Sequence, residues 1–302
     1  MPPVCYKAHS THMTGPCPDP ACILPPPEAM TGALREALPR FRQVDWLERT
    51  GSTNADLLAR ARRAGGPPDR PWLLGTHLQS QGRGRAGRTW QNRIGANLMF
   101  SCAFDVFLPA RQLPTLAPLI GMATCLALRT RLEPRHRQRL AMKWPNDLLW
   151  DQAKLAGVLI ESTRSGTAQA ADHHLIIIGM GLNLDDARAL SQSLDRRIAD
   201  WAEIAASDSS AARIGAADLA ACAARAWYDA LNDATARGFA DLPARYAEVD
   251  ALTGRMLDVL DDGHLRHTGA ACGIDTDGRL LLRNADGVQA ISVGEISVRL
   301  QR

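Results

Sequence analysis

The sequence has no uninterrupted run of about 18 apolar residues, which excludes the hydrophobic span that a membrane-crossing helix requires. It also lacks the closely spaced, even-numbered cysteines of a disulfide framework, because its seven cysteines are widely scattered. We therefore expect a protein of a reducing, cytoplasmic compartment with no membrane partner. An excess of one charge is absent too, because the formal net charge of +3 is too small to indicate nucleic-acid binding.

The composition is that of an ordinary globular protein, with 46% hydrophobic and 22% charged residues in a chain of 302. This length accommodates one large domain and one small domain. Residues 1–35 differ from the rest, because prolines and cysteines replace most of the aliphatic residues there. We expect this segment to be a disordered tail. It has no apolar segment typical of a secretory signal, and its cysteines and histidines fit no common zinc-binding spacing, so we expect no metal centre.

A loop at residues 82–88 reads Gly-Arg-Gly-Arg-Ala-Gly-Arg and follows a predicted strand over residues 72–79. Glycine lacks a Cβ atom, so the backbone of such a loop can turn sharply and approach a ligand closely. Arginine adds a permanent charge and a planar set of donors that match carboxylates and phosphates. The loop therefore predicts a lid that closes over an anion. Taken alone, it is equally typical of a linker or of a loop that contacts nucleic acid.

Four other short motifs accompany this arginine–glycine loop. They are Gly-Ser-Thr-Asn at 51–54, Lys-Trp-Pro-Asn-Asp at 143–147, Lys-Leu-Ala-Gly-Val-Leu-Ile-Glu at 154–161 and Gly-Met-Gly-Leu-Asn at 179–183. In this order and spacing the motifs resemble those of the biotin protein ligases, also called biotin–acetyl-CoA-carboxylase ligases. The resemblance extends from about Trp46 to the C-terminus, and the loop together with the motif at 143–147 is its most specific part.

The resemblance implies a fold and a reaction. The fold is α+β, with a catalytic domain at residues 36–251 similar to class II aminoacyl-tRNA synthetases and biotin synthetases, in which helices flank a mixed sheet. A small SH3-like β-barrel follows at residues 252–302, where short strands alternate with Asp-Gly turns. In the implied reaction, the biotin carboxylate attacks the α-phosphate of ATP, and a carrier lysine then attacks the biotinyl-5′-AMP. ATP and biotin, with Mg²⁺, are the implied substrates.

Three residues are the expected catalytic groups. Both steps gather negative charge, so fixed cations are needed where that charge develops. The resemblance places Lys154 beside the biotin carboxylate and the developing phosphate. It places Arg85 on the lid, which also excludes water from the mixed anhydride. We expect Asp147 to face the site, where it either orients the Mg²⁺ of ATP or accepts the proton of the carrier lysine.

The remaining site residues form two groups by resemblance. The residues that match the biotin pocket are Ser52, Thr53, Asn54, Gln79, Arg83, Gly84, Arg85 and Lys154. The residues that match the ATP and adenylate segment are Arg88, Lys143, Trp144, Asn146, Asp147, Gly179, Gly181 and Asn183. Hydroxyl and amide groups in the first set suit the ureido ring of biotin. Ser52 and Thr53 are also suited to cap a helix that begins at residue 55, and the two roles are compatible.

Periodicity predicts the elements that carry these motifs. Strands are expected over 72–79, 97–104, 141–144, 148–150, 154–161 and 174–179, and helices over 112–132, 217–236 and 242–249. Cys125 lies on the apolar stripe of the first of these helices and is interpreted as a core residue. A cluster of five arginines between residues 129 and 139 is interpreted as a solvated helix end and loop, with nucleic-acid contact as the alternative.

The expected partner is the biotin carboxyl carrier domain of acetyl-CoA carboxylase or of a related carboxylase. No pair of periodic helices typical of a helix-turn-helix precedes Trp46, so we expect a ligase without specific nucleic-acid binding. Dimerisation through sheet edges is compatible with the resemblance. Two other functions stay open at this point: a lipoate–protein ligase, which is thought to share the catalytic fold, and a biotin-binding protein without catalysis.

Overall fold

A computed structural model describes residues 24–63, 69–164, 172–261, 263–294 and 296–300. A seven-stranded mixed sheet has helices on both faces, and a five-stranded antiparallel sheet follows it. This architecture agrees with the mixed sheet and flanking helices that the resemblance implies. Residues 1–23, most of the expected tail, lie outside the described residues.

The large sheet forms the centre of the molecule. Its strands are β1 (Gln43–Thr50), β2 (Trp72–Gln79), β3 (Asn97–Phe107), β4 (Leu140–Lys143), β5 (Asp147–Trp150), β6 (Ala153–Arg164) and β7 (His173–Asn183). Their spatial order is β1-β2-β3-β7-β6-β5-β4. β1 and β2 run parallel, and all other neighbours are antiparallel. The central strands β3 and β7 are largely buried, since helices cover both faces of the sheet.

Seven helices surround this sheet in the described residues. They are α1 (Pro27–Ala37), α2 (Thr53–Arg63), α3 (Leu116–Arg129), α4 (Ala187–Leu194), α5 (Trp201–Ser207), α6 (Ala216–Arg237) and α7 (Leu242–Ala247). α2 covers one face, where Leu57 packs against Trp72 and Ile177. Alternate strand residues such as Leu73 and Ile176 point to the other face, which α1, α3 and α6 cover. The first turn of α2 therefore lies directly over the sheet centre, close to β3 and β7.

Helix α1 departs from the sequence-based expectation. The sequence predicts a disordered tail over residues 1–35, but residues 27–35 belong to α1, so the prediction is wrong for them. Met30 and Leu34 lie one turn apart and are fully buried in the core. A short apolar stripe is sufficient here, because tertiary packing rather than intrinsic propensity stabilises most helices in proteins.

Both outer strands of the large sheet are hydrogen-bonded to segments outside it. On β1, Trp46 N donates to Thr31 Oγ1 of α1 at 3.0 Å. On β4, Met142 N donates to Val249 O at 2.7 Å, and Met142 O accepts from Ala251 N at 2.9 Å. These contacts occupy backbone groups that an edge strand would otherwise present to another chain. Dimerisation through either edge would have to displace them.

The small C-terminal sheet is antiparallel throughout. Its strands are β8 (Met256–Asp261), β9 (His264–Ile274), β10 (Leu280–Asn284), β11 (Gly287–Ile291) and β12 (Ile296–Leu300), in the order β11-β10-β9-β8-β12. Within the described part of the chain no pairing joins β11 to β12, so the closed SH3-like barrel is not confirmed. Gly263, Gly278 and Gly287 have positive φ, as the expected Asp-Gly turns require.

A tryptophan joins the small sheet to the large one. Trp144 is buried, and its Nε1 donates to Gly278 O at 2.9 Å. Thr115 Oγ1 donates to Asp277 O at 2.8 Å in the same turn. A Cβ at Gly278 would lie 2.8 Å from Pro118 Cγ, so the close approach of this turn to α3 depends on glycine.

Two expectations near α3 need correction. The helix predicted over 112–132 is shorter and spans Leu116–Arg129, because residues 110–115 form a 3₁₀ turn in which Pro114 disfavours the α conformation at Leu113. The sequence predicts that Arg129, at the end of this helix, is solvated, but the residue is buried. Its Nε donates to Leu140 O and its Nη1 to Glu248 O, both at 2.7 Å. Burial is tolerated because the guanidinium donors are paired.

Candidate active site

One cavity of about 220 Å³ lies where the first turn of α2, strands β6 and β7 and the arginine–glycine loop meet. Motifs that are far apart in the sequence converge on it. Every residue that the sequence analysis assigns to the site lines this cavity: Ser52, Thr53, Asn54, Gln79, Arg83, Gly84, Arg85, Arg88, Lys143, Trp144, Asn146, Asp147, Lys154, Gly179, Gly181 and Asn183.

A chain of hydrogen bonds between polar side chains forms one wall. Thr53 N donates to Gln79 Oε1 at 2.9 Å, so the first turn of α2 is capped by a side chain from β2. Thr53 Oγ1 lies 2.6 Å from Ser101 Oγ, which donates to Asn54 Oδ1, also at 2.6 Å. Ser101 has no signal in the sequence motifs, and only the pairing of β3 with β7 brings it here. Such fixed polar groups suit a ligand with its own donors and acceptors.

Glu161 stands behind this wall and continues the chain of hydrogen bonds. Its Oε2 accepts from Asn54 Nδ2 at 2.7 Å, and its Oε1 lies 3.4 Å from Arg83 Nη2. The residue closes the motif at 154–161, but the sequence assigns it no role. It connects the polar wall to the arginine–glycine loop.

Two glycines of β7 make room for the side chains of the site. A Cβ at Gly179 would lie 2.3 Å from Asn54 Oδ1, and a Cβ at Gly181 would lie 2.4 Å from the ring of Trp90. Real Cβ atoms do not approach so closely, so both positions require glycine as long as the neighbours stay in place. Trp90, which sequence reasoning missed, also lies beside Lys154, whose Nζ is 5.6 Å from the ring centroid.

Lys154 and Asp147 form an ion pair inside the cavity. Lys154 Nζ lies 2.7 Å from Asp147 Oδ1, and the two side chains are 22% and 26% exposed. A tight turn at Asp151 and Gln152, both with positive φ, joins β5 to β6 and brings the two residues side by side. The strands that the sequence predicts over 148–150 and 154–161 imply a turn at these positions, and that turn is confirmed. The pair holds an ammonium group at the cavity wall in a fixed position.

Further cations surround this pair. Burial lowers the pKa of Lys143; the carboxylate of Asp147 opposes this effect, and the charges of Lys154, Arg196 and Arg88 lower the pKa further. Arg196 also lines the cavity and comes from the segment after α4, which the sequence motifs do not cover. This end of the cavity suits a ligand with several negative charges, such as a polyphosphate.

The arginine–glycine loop is folded back on itself. Gly84 N donates to Arg88 O at 2.7 Å, and Trp90 N donates to Gly82 O at 2.9 Å. Ala86 and Gly87 adopt positive φ at its tip, where glycine is favoured. The loop therefore has a defined conformation above the cavity.

Arg85 connects this loop to a segment beside each of the two sheets. Its Nη1 donates to Asn146 Oδ1 at 3.3 Å, and its Nη2 donates to Gly294 O in the C-terminal region. Burial lowers the pKa of Arg85; the negative charge of Asp147 raises this pKa, and the positive charge of Arg88 lowers it further. The loop, the motif at 143–147 and the small sheet thus meet at one guanidinium group.

Three of the predicted site residues have side chains engaged in the framework. Trp144 is bonded to the small sheet, as described above. Asn183 Oδ1 accepts from Asn97 Nδ2 at 3.1 Å, and Asn183 Nδ2 donates to Ala199 O at 3.0 Å. Asn146 Nδ2 donates to Val158 O at 2.6 Å. These residues shape the cavity while their polar atoms hold strands and loops together.

No group of three or more His, Cys, Asp or Glu side chains in the described ranges is arranged to hold a metal ion. None of the helices described above is both long and apolar enough to cross a membrane.

Comparisons with known proteins agree with this architecture. The Biotin/lipoate A/B protein ligase family matches residues 46–183, and the Biotin protein ligase C terminal domain matches residues 254–299. The biotin–[acetyl-CoA-carboxylase] ligase of Paracoccus denitrificans is 32% identical over 255 residues, which cover 83% of this chain and 98% of that protein. The bifunctional ligase/repressor BirA of Escherichia coli is 29% identical over 221 residues, or 73% of this chain. This chain spans 64% of the length of BirA.

A solved structure shares the fold. The biotin protein ligase from Aquifex aeolicus, in complex with biotin and ATP, superposes with a TM-score of 0.68 and 22% identity. The superposition covers 86% of this chain and 100% of that chain. This chain belongs to the biotin protein ligase family, as shown by its fold, by the motif residues that converge on its cavity, and by a relative that is 32% identical and covered over 98% of its length.

Proposed function

We propose that this protein is a biotin–[acetyl-CoA-carboxylase] ligase, which activates biotin with MgATP and transfers it to a lysine of a biotin carboxyl carrier domain. One observation carries the proposal: the Lys154–Asp147 pair lies in a cavity that the arginine–glycine loop borders. A cavity of this kind supplies fixed cations where a carboxylate and a phosphate must meet. The name of the Paracoccus denitrificans relative supports the same activity.

In the proposed first step, a carboxylate oxygen of biotin attacks the α-phosphorus of ATP, and pyrophosphate leaves. Both reactants are anions, so the step needs positive charge on both sides of the forming bond. Lys154 contacts the carboxylate and the α-phosphate in this proposal, while Lys143 and Arg88 neutralise the departing phosphates. Mg²⁺ enters with ATP as part of the substrate. Arg85 closes the loop over the adenylate and keeps water from the mixed anhydride.

In the second step, the amine of a carrier lysine attacks the biotinyl carbonyl carbon. The bond to the phosphate oxygen breaks, AMP leaves, and the amine loses a proton. Asp147 has two roles open to it: it accepts this proton, or it orients MgATP while it holds Lys154. The ureido ring of biotin is assigned to the polar wall, where Ser52, Thr53 and Gln79 present hydroxyl and amide groups.

Residues 252–302 are proposed as an SH3-like domain that helps to close the site, supported by the bond from Arg85 to Gly294 O. The proposed partner is the carrier domain of acetyl-CoA carboxylase or of a related carboxylase. A cytoplasmic location and the absence of a specific nucleic-acid partner stay predictions. Homodimerisation also stays a prediction, which light scattering on the purified protein tests.

Mass measurement on a carrier domain tests the proposed function. The protein is mixed with a biotin carboxyl carrier domain, MgATP and either biotin or lipoate. We expect a single ATP-dependent biotinyl adduct that disappears when the target lysine of the carrier is replaced. A lipoyl adduct instead would keep the chemistry and change the substrate. Tight biotin binding without an adduct would contradict the proposal and indicate a binding protein.

A further inference from the structure

Glu161 touches two parts of the candidate site without lining the cavity itself. It lies in β6, and its side chain is 27% exposed. One carboxylate oxygen accepts from Asn54 in the first turn of α2, and the other faces Arg83 of the arginine–glycine loop. A single side chain thus joins a wall of the cavity to the loop that borders it.

The contact with Asn54 determines how that amide is oriented. Asn54 is buried, its Oδ1 accepts from Ser101 Oγ at 2.6 Å, and its Nδ2 donates to Glu161 Oε2 at 2.7 Å. The missing Cβ of Gly179 leaves the space in which Asn54 Oδ1 lies. Removing the carboxylate would leave a buried N–H₂ group without this acceptor, which is costly in the protein interior. Glu161 therefore fixes the orientation of the amide that the wall presents.

The contact with Arg83 acts on the loop. The backbone of Arg83 pairs with Thr89, so Arg83 stands at the base of the loop. Its side chain is 49% exposed and lies 3.4 Å from Glu161 Oε1. A partly solvated ion pair of this kind is weak, and it mainly restricts the conformations that a long side chain samples. The carboxylate therefore stabilises the base of the loop less strongly than it stabilises the orientation of Asn54.

We infer that Glu161 is a positioning residue that couples the biotin pocket to the lid, because its two oxygens orient Asn54 and Arg83 together. This inference rests on the proposed function. The carboxylate contacts neither substrate. It keeps the pocket in the shape that accepts biotin and keeps the lid over the adenylate until a carrier arrives.

Two substitutions separate the two contacts. Glu161→Gln keeps a carbonyl oxygen that accepts from Asn54 and removes the charge that faces Arg83. Glu161→Ala removes both. Glu203→Gln is the matched control, because Glu203 pairs with Arg197 at 2.5 Å outside the residues that line the cavity.

The experiment measures biotin-dependent exchange of pyrophosphate into ATP, and separately the escape of biotinyl-5′-AMP as labelling of a lysine-rich bystander protein. For Glu161→Ala we expect the KM for biotin to rise about tenfold, since a charge-assisted hydrogen bond is lost. We expect bystander labelling to rise about threefold in both Glu161 variants, since the weak pair with Arg83 is lost. In Glu161→Gln the KM should stay within about twofold of the wild type, and the kcat should change little in both variants.

A result in which both variants match the wild type in KM and in bystander labelling would overturn the inference. A fall in kcat with unchanged KM would also overturn it, because Glu161 would then act in the chemical step. Thermal unfolding checks that the variants are folded, and Glu161→Gln carries the test if Glu161→Ala is not. If the wild-type protein shows no biotin-dependent exchange, the proposed function fails instead, so the two failures are distinguishable.

Discussion

Replacing Lys154 by alanine tests the proposed first step most directly. Loss of one positioned donor at a developing charge lowers kcat by about 10²–10³-fold. Lys143 and Arg88 line the same cavity, and in the proposed mechanism they still neutralise phosphate charge in the variant. We therefore expect the lower end of this range, a loss of about 100-fold, which corresponds to about 2.7 kcal/mol of transition-state stabilisation.

The same substitution should leave the fold intact. The backbone of Lys154 pairs with Leu149 in β5, and its carbonyl accepts from Ala199 N at 2.9 Å. Alanine keeps both contacts. The Lys154–Asp147 pair is about one quarter exposed, so its loss costs about 1 kcal/mol of unfolding free energy and lowers the melting temperature by about 2–4 °C.

Biotin-dependent pyrophosphate exchange and thermal unfolding measure these two effects. Arg197→Ala is the control, because it also removes a cation but lies outside the cavity lining. Exchange by Lys154→Ala at more than about a tenth of the wild-type rate would refute the reasoning. Asp147→Asn made in the Lys154→Ala background adds a second result. No further loss would mean that Asp147 acts only through Lys154, and a further loss would indicate a role of its own.

Three further predictions concern the loop, β7 and the fold. Arg85→Gly removes the bonds to Asn146 and Gly294, so biotinyl-5′-AMP should escape and label a bystander protein; labelling at the wild-type level would contradict this. Gly181→Ala forces the Trp90 ring to move and should lower the unfolding free energy by about 1–3 kcal/mol, whereas Gly32→Ala, with open space around its Cβ, should not; calorimetry compares them. Burial raises the pKa of Asp208, but hydrogen bonds from Ala211, His136, Glu133 and Ser210 outweigh this, and its pKa lies below the ordinary value. The contribution of the Asp208 carboxylate to the free energy of unfolding is therefore complete above the unfolded-state pKa of about 3.9, and it is lost as pH falls through the folded-state pKa. Asp208→Asn should therefore flatten the acid side of a plot of unfolding free energy against pH, measured by urea unfolding.

The sequence predicts the central strands and the positions of the motifs well, because each depends on local features. The strand predicted over 72–79 coincides with β2, and the Asp151–Gln152 turn has the positive φ values that such a turn requires. Cys125 is buried in α3, as its place on the apolar stripe indicates. The motif residues are far apart in the sequence, and they come together at one cavity once these strands pair.

The features that the sequence missed depend on contacts between distant parts of the chain. Helix α1 has a weak apolar pattern, and its packing against β1 and α6 stabilises it. Ser101 and Trp90 enter the site through strand register and through the space above Gly181, neither of which periodicity reveals. The charge of Arg129 predicts exposure to solvent, but its guanidinium group donates to two backbone carbonyls in the core. In each case tertiary packing decides the outcome.

The distribution of lysine has a consequence for chemistry at the protein surface. The chain contains 32 arginines but only three lysines: Lys7, which lies outside the described residues, and Lys143 and Lys154, which line the cavity. Every other cationic side chain of the described ranges is either an imidazole or a guanidinium. The guanidinium stays protonated and is a poor nucleophile. An acylating agent released from the cavity therefore meets no lysine amine on the described surface, and within the described ranges an amine-directed reagent can label only the two cavity lysines.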